Sequence, residues 1–220
     1  MADPPATTTV HSAIELATVL QSPFRGRIVI PNDAEWRMEN PCGARDEFGR
    51  CVPTPLTQIP VRSGVEIVGK RGFLGRRPVL HATYQGENYI LFVIQGNDVR
   101  ISGVHFRGPS RRTTGNQKQV TAIRAIQDPA GTTGRRVTIA DNEFDGWPDS
   151  AVNVCGNYET LEAGVCNVGP RGPRQHTGPL TTRADAGSMR IERNHIHHNA
   201  RDGAGYGVVT AGNSYTTIEG

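Results

Sequence analysis

The sequence predicts an all-β fold, a right-handed parallel β-helix of three short strands per coil with an N-terminal capping α-helix. Three observations predict it. Residues 99–108 (VRISGVHFRG), 137–146 (VTIADNEFDG) and 189–198 (MRIERNHIHH) align without gaps, each with Ile at the third place and Phe or Ile at the eighth. Val65-Glu66-Ile67 and Thr216-Thr217-Ile218 restate the first half. The equivalent isoleucines, Ile67, Ile101, Ile139, Ile191 and Ile218, are spaced by 34, 38, 52 and 27 residues, near the roughly 20–50 residue period of stacked repeats. Unequal spacing suits a solenoid, which keeps its strands in register while individual loops grow outward.

Residues 1–26 form an N-terminal segment. Within it, residues 11–20 read as a short amphipathic helix, with Ser12 as candidate N-cap and Glu15 completing a capping box. Ile14, Leu16, Val19 and Leu20 do not make a clean stripe along it. A helix here covers the open end of a solenoid, which otherwise presents bare backbone groups and an apolar cross-section. Residues 27–220 form the β-helix. Val137 and Ile139 alternate with Thr138 and Ala140, the period of two that puts one set inside. A further apolar run follows each pair of strands, at 90–94, 120–126, 151–154 and 206–210. Parallel strands need long connections, and the rest of each coil supplies them. Asn142 and Asn194 fall at the sharp, one-residue corner, where Asn tolerates left-handed backbone and its amide reaches the copy in the next coil. The chain stops halfway through a repeat, so the β-helix is expected to be incomplete at its C-terminus, with further coils of the same parent chain as its natural partner.

The three decapeptides and their intervening apolar strands, from about residue 27 to the end, resemble the pectin lyase-like superfamily of right-handed β-helices. The resemblance implies that ligands lie along the face of one stacked strand, between its flanking loops. The longest insertions, 31–61, 109–119, 127–135 and 156–187, flank the third-strand runs and are expected to wall such a groove. Arg124 and Asn153, each between two apolar residues, are expected to project from its floor on neighbouring coils. The loops carry Arg111, Arg112, Lys118, Arg135, Arg136, Arg171, Arg174 and Arg183, whose donors suit carboxylate or sulfate groups on a sugar polymer or serve as ordinary solvated charges. The calcium-site Asp clusters and Arg-Pro-x-x-Arg pattern associated with pectate lyases are missing, as are the Asn-Thr-Asp and Arg-Ile-Lys stretches of polygalacturonases.

At 220 residues the chain has one domain's worth of length, and 26 Gly and 15 Pro fit many loops rather than a helical bundle. A net charge of +3 is too small to argue for nucleic acid, and no run approaches the roughly 18 apolar residues of a membrane span. Cys42 with Cys51 and Cys155 with Cys166 form two local pairs without Cys-x2-Cys spacing, so disulfides stapling surface loops are favoured over a metal site or free thiols. Disulfides imply an oxidising compartment. The start Met1-Ala-Asp-Pro-Pro reads as a mature terminus behind an added Met, and a secreted or cell-surface protein is expected.

The densest chemistry lies at residues 194–206. His195 and His197 share one strand face, and His198, Arg201 and Asp202 lie in the turn before Tyr206 at the edge of the proposed groove. His198 as base, Arg201 as carboxylate clamp and Asp202 orienting the imidazole would abstract the proton alpha to a uronate carboxylate, the opening step of β-elimination or epimerisation. Alternatively His195 and His197 bind a metal with a carboxylate from the next coil, or the segment is a wet surface strand. A second cluster sets Asp141, Glu143, Asp145 and Asp149 about Trp147, with Asp145 and Asp149 flanking its turn, as paired carboxylates of a glycoside hydrolase with an aromatic platform for a sugar ring. The expected partner is a polysaccharide, an acidic one on the lyase or epimerase reading, with no cofactor assigned. A non-catalytic adhesin or structural rod is the competing class.

Overall fold

The computed structural model describes residues 5–72, 75–83, 89–109, 120–127, 134–156, 189–199, 206–211 and 216–219. They are mostly strand, with one short helix, and the strands form three parallel sheets and one antiparallel hairpin.

In chain order, β1 (Thr7–Thr9) is followed by helix α1 (Ala13–Gln21), β2 (Gly26–Ile30) and β3 (Glu35–Arg37). The hairpin of β4 (Glu39–Arg45) and β5 (Cys51–Pro55) comes next, then β6 (Ile59–Val61). After that the chain cycles. It passes through β7 (Val65–Gly69), β8 (Val79–His81) and β9 (Ile90–Ile94), then β10 (Arg100–Ser102), β11 (His105–Arg107) and β12 (Thr121–Gln127). The next circuits hold β13 (Thr138–Ala140), β14 (Glu143–Asp145) and β15 (Ser150–Gly156), then β16 (Met189–Glu192), β17 (His195–His197) and β18 (Tyr206–Ala211), with β19 (Thr216–Glu219) last.

Each circuit adds one strand to each sheet. The first sheet is ordered β1-β2-β7-β10-β13-β16-β19, the second β3-β8-β11-β14-β17 and the third β6-β9-β12-β15-β18. Register follows the repeat. Ile28, Ile67, Ile101, Ile139 and Ile191 are aligned neighbours in the first sheet, all 2% exposed or less. Leu80, Phe106 and Phe144 are the matching inward column of the second sheet, and Phe92, Ile123 and Val152 that of the third. Phe106 stacks on Phe144 with ring centroids 5.0 Å apart and meets Phe92 edge-on at 5.9 Å, so aromatic contacts tie the second and third sheets together.

Two residues, not one, turn the corner between the first and second sheets. The left-handed backbone falls on the first of them, Gly103 (φ 75°), Asp141 (φ 57°) and Arg193 (φ 51°), and not on the asparagines. Asn142 and Asn194 occupy the second place and form a ladder. Asn142 Nδ2 donates to Ile101 O at 2.9 Å and to Asn194 Oδ1 at 3.2 Å, while its Oδ1 accepts from Val104 N at 3.1 Å. Asn194 Nδ2 repeats the pattern with Ile139 O at 2.8 Å. The asparagines therefore satisfy backbone groups that the corner removes from the sheet ladders.

The helix is capped as the sequence predicts at Ser12, whose Oγ accepts from Glu15 N at 3.1 Å. The Glu15 carboxylate reaches one residue further back, accepting from His11 N at 2.7 Å. The buried stripe is Ala13, Leu16, Ala17 and Leu20, so two alanines complete the face that the larger apolar residues leave ragged. Through it α1 packs against β6, the edge strand of the third sheet. Insertion 31–61, expected as a loop, contains strands, among them the antiparallel β4–β5 hairpin crosslinked by the Cys42–Cys51 disulfide. Among the described residues no helix is long and apolar enough to cross a membrane.

Candidate functional site

The side chains that face away from the core on the second sheet fall into two columns. One runs Glu35, Val79, His105, Glu143, His195; the other runs Arg37, His81, Arg107, Asp145, His197. Only Val79 among them lacks an ionisable group. Strand alternation fixes this face, because Trp36, Leu80, Phe106, Phe144 and Ile196 between the columns pack on the core.

Glu143 is the hub. Its Oε1 lies 3.2 Å from His197 Nε2 and 3.7 Å from His105 Nε2, and its Oε2 accepts from Arg77 Nη1 at 3.2 Å. Arg77 is itself held by Nε donating to Asp141 O at 3.1 Å. Burial pushes the Glu143 carboxyl up, but His105, the hydrogen bond from His197 and the Arg77 guanidinium outweigh it, so its pKa stands below the ordinary value. His105 Nε2 also lies 3.1 Å from Oδ1 of Asp145, a fully buried carboxylate. His195 and His197 rings sit 4.4 Å apart, and His197 Nδ1 meets His198 Nδ1 at 2.5 Å. Further along the second column, burial and the flanking Arg107 and Arg37 hold the half-buried His81 below its usual pKa.

The Glu143, His195 and His197 donor atoms lie within 4.8 Å of one another. Two neutral imidazoles and a carboxylate are a donor set for a transition metal, and the same groups can relay protons. The face offers both chemistries.

The sequence-derived candidates are placed as follows. His195 is exposed, His197 half-buried, and both occupy the same face, as alternation predicts. His198 lies just beyond β17, exposed and with φ 53°. Tyr206 opens β18 and is 54% exposed. Arg201, Asp202 and Cys166 lie outside the described residues, as do Arg111, Arg112, Lys118, Arg171, Arg174 and Arg183. Cys155 is disulfide-bonded, and Arg136 pairs with Asp98.

Arg124 and Asn153 are ladder neighbours in the third sheet, as expected, but both are buried. So are Leu91, Val93, Ala122 and Ala151 on the same outward face, which is therefore covered where an open groove floor was expected. Apolar residues on both faces of these strands were the signal for it. Trp147 is fully buried: its Nε1 donates to Phe106 O at 3.0 Å and its ring stacks on Tyr89, so neither ring face is open at the surface. Asp145 is engaged with His105 and Asp149 accepts from Thr121 Oγ1 at 3.1 Å, so the two carboxylates serve separate networks.

Sequence reasoning missed His105 and set Glu143 among the acids about Trp147 rather than beside the imidazoles, although the aligned decapeptides carry His105, Glu143 and His195 at the seventh place and Arg107, Asp145 and His197 at the ninth. Arg77, outside the repeats, gave no signal. Comparison with protein-family models, curated proteins and solved structures yields no match in any of the three.

Proposed function

We propose that this chain is a right-handed parallel β-helix of the pectin lyase-like type, exported, and that the outward face of its second sheet binds and modifies an acidic polysaccharide. The rotation of the chain through three parallel sheets and the asparagine ladder at one corner support the fold reading. The Cys42–Cys51 disulfide supports an oxidising compartment.

The observation that carries the functional reading is the pair of polar columns, repeated at the strand spacing of about 4.8 Å. Recurring groups on an extended polymer meet recurring partners on such a face. Arg37 and Arg107 are the cations for sugar carboxylates; here Arg37 pairs with Glu39 and Arg107 with the exposed Glu35. The acid–base group is His198. Its imidazole is exposed and backed by His197, which Glu143 orients in turn, a carboxylate–imidazole–imidazole series. In this reading His198 accepts the proton alpha to a uronate carboxylate. The resulting carbanion either expels the β-oxygen substituent, which leaves as an alcohol on taking a proton and gives an unsaturated uronate, or is reprotonated on the opposite face with that substituent retained, which gives the epimer.

The test is a panel of uronate-containing polymers, read for absorbance of unsaturated ends and for epimer content. The wild-type chain is expected to act on at least one polymer, and His198→Ala to lower turnover by about 10²–10⁴-fold. Unchanged turnover in His198→Ala removes it from the mechanism. Binding without turnover makes the chain a recognition rod, and neither binding nor turnover overturns the carbohydrate reading.

A further inference from the structure

The geometry points to a divalent transition-metal site, of the kind that takes Zn²⁺, formed by Glu143 of β14 with His195 and His197 of β17. Three observations carry it. The donors sit on adjacent, hydrogen-bonded strands: Glu143 and His195 are direct ladder partners, and His197 is two residues along on the same face. Rigid strands hold donors in place better than loops do. The donor atoms also span no more than 4.8 Å, with Glu143 Oε1 already 3.2 Å from His197 Nε2. Donors about 2.0–2.1 Å from a tetrahedral Zn²⁺ lie roughly 3.4 Å from one another, so modest side-chain adjustment closes the set.

The supporting contacts are those expected around a metal ligand. Arg77 holds Glu143 Oε2 and leaves Oε1 directed at the imidazoles. Arg77 is fixed by the Asp141 carbonyl, and Asp141 by the paired Arg193 guanidinium. Metal ligands oriented in this way bind more tightly, because the protein has already fixed the carboxylate. The chemistry of the set selects the ion. Two imidazoles and one carboxylate suit Zn²⁺ and its first-row neighbours, whereas Ca²⁺ and Mg²⁺ take mostly oxygen donors. His195 is exposed and His197 and Glu143 half-buried, which leaves the fourth position to water or to an oxygen of a ligand. Zn²⁺ would sit between His197 Nε2 and Glu143 Oε1, now in direct contact at 3.2 Å.

This site goes beyond the carbohydrate reading and is tested without any polymer. Tag-free full chain, stripped with a chelator, is titrated with ZnCl₂ by calorimetry, with CaCl₂ in parallel. One equivalent of Zn²⁺ is expected, and much weaker Ca²⁺ binding. His195→Ala/His197→Ala is expected to abolish that equivalent, and Arg77→Gln to weaken it by about 10-fold or more. The His substitutions lie on the outer face, and circular dichroism checks that the variant keeps its fold. In the unaltered chain, imidazole proton resonances of His195 and His197 are expected to shift on Zn²⁺ addition, with those of the distant His11 unmoved. Absence of Zn²⁺ binding, binding that survives the double substitution, or Ca²⁺ binding as tight as Zn²⁺ overturns the assignment.

Discussion

Replacing Asn142 by Ala should cost far more stability than one short polar side chain ordinarily would. Asn142 is fully buried. Its amide donates to Ile101 O and its carbonyl accepts from Val104 N, and both of those residues are fully buried too. Truncation orphans an N–H and a C=O in the interior, each costing about 1–3 kcal/mol, so the loss is about 2–6 kcal/mol. Asn194 Oδ1 softens it little, because it still accepts from Asn142 N at 3.0 Å. Against a typical domain stability of about 5–15 kcal/mol this is a large fraction. Urea unfolding followed by circular dichroism should show the midpoint fall by roughly 1–3 M. The effect should reach the site, since Asn142 O accepts from His195 N and Asn142 directly precedes Glu143. Asn194→Ala, at a half-buried place where water can reach the groups it orphans, is the comparison and should cost less. A midpoint for Asn142→Ala equal to wild type, or above that of Asn194→Ala, would refute the claim that the ladder closes the corner's hydrogen bonds.

Acidification should destabilise the chain in two stages. His81 is held below its usual pKa by burial and by Arg107 and Arg37, so the unfolded state binds a proton first; its stabilising contribution is full above about pH 6.5 and declines as pH falls from there. Glu143, Asp141 and Asp98 are also held low, so theirs is full above about pH 4 and lost below it as pH falls through their folded-state values. Thermal melts from pH 7 to 3 should show both declines, and His81→Gln should flatten the upper one; an unchanged upper limb would dissociate His81 from it. Gly103→Ala combines a left-handed φ of 75° with a Cβ 2.5 Å from the Gly69 carbonyl oxygen, costing about 2–5 kcal/mol, or roughly 5–15 °C in Tm. Gly49→Ala has a similar φ of 74° but open space around it, so it should lose only about 1–2 kcal/mol; equal losses would discount the close backbone approach.

The first-sheet isoleucines were legible because each faces the core in an alternating strand, and burial writes that period directly into the sequence. The β4–β5 hairpin was not, since its residues are exposed on both faces of most of its length and leave no alternation to read. Ala13 and Ala17 escaped notice because a stripe sought among large side chains overlooks the small ones that let α1 approach β6. The asparagine ladder was legible in its amide bonds and displaced by one residue in its backbone. The amide must point along the stack, while the chain reverses one residue earlier, where even Asp141 and Arg193 accept positive φ.

The site itself was half legible for a related reason. His195 and His197 announced a shared face by their spacing, but a spacing within one strand says nothing of the strand beside it. Glu143 was read with the acids about Trp147, and its place beside the imidazoles shows only when the decapeptides are superposed and the seventh places read down the stack as one surface. The same operation separates the second sheet from the third: its outward columns collect His, Arg, Glu and Asp, whereas the third sheet sets Arg124 and Asn153 among Leu91, Val93, Ala122 and Ala151, all of them buried. On the second sheet Arg37 and His195 stand exposed in their columns, while these third-sheet residues scarcely reach water. Arg77 lies beyond such reading. It reaches Glu143 from 66 residues away, across two circuits of the chain, and only the stacking of those circuits brings the guanidinium to the carboxylate it positions.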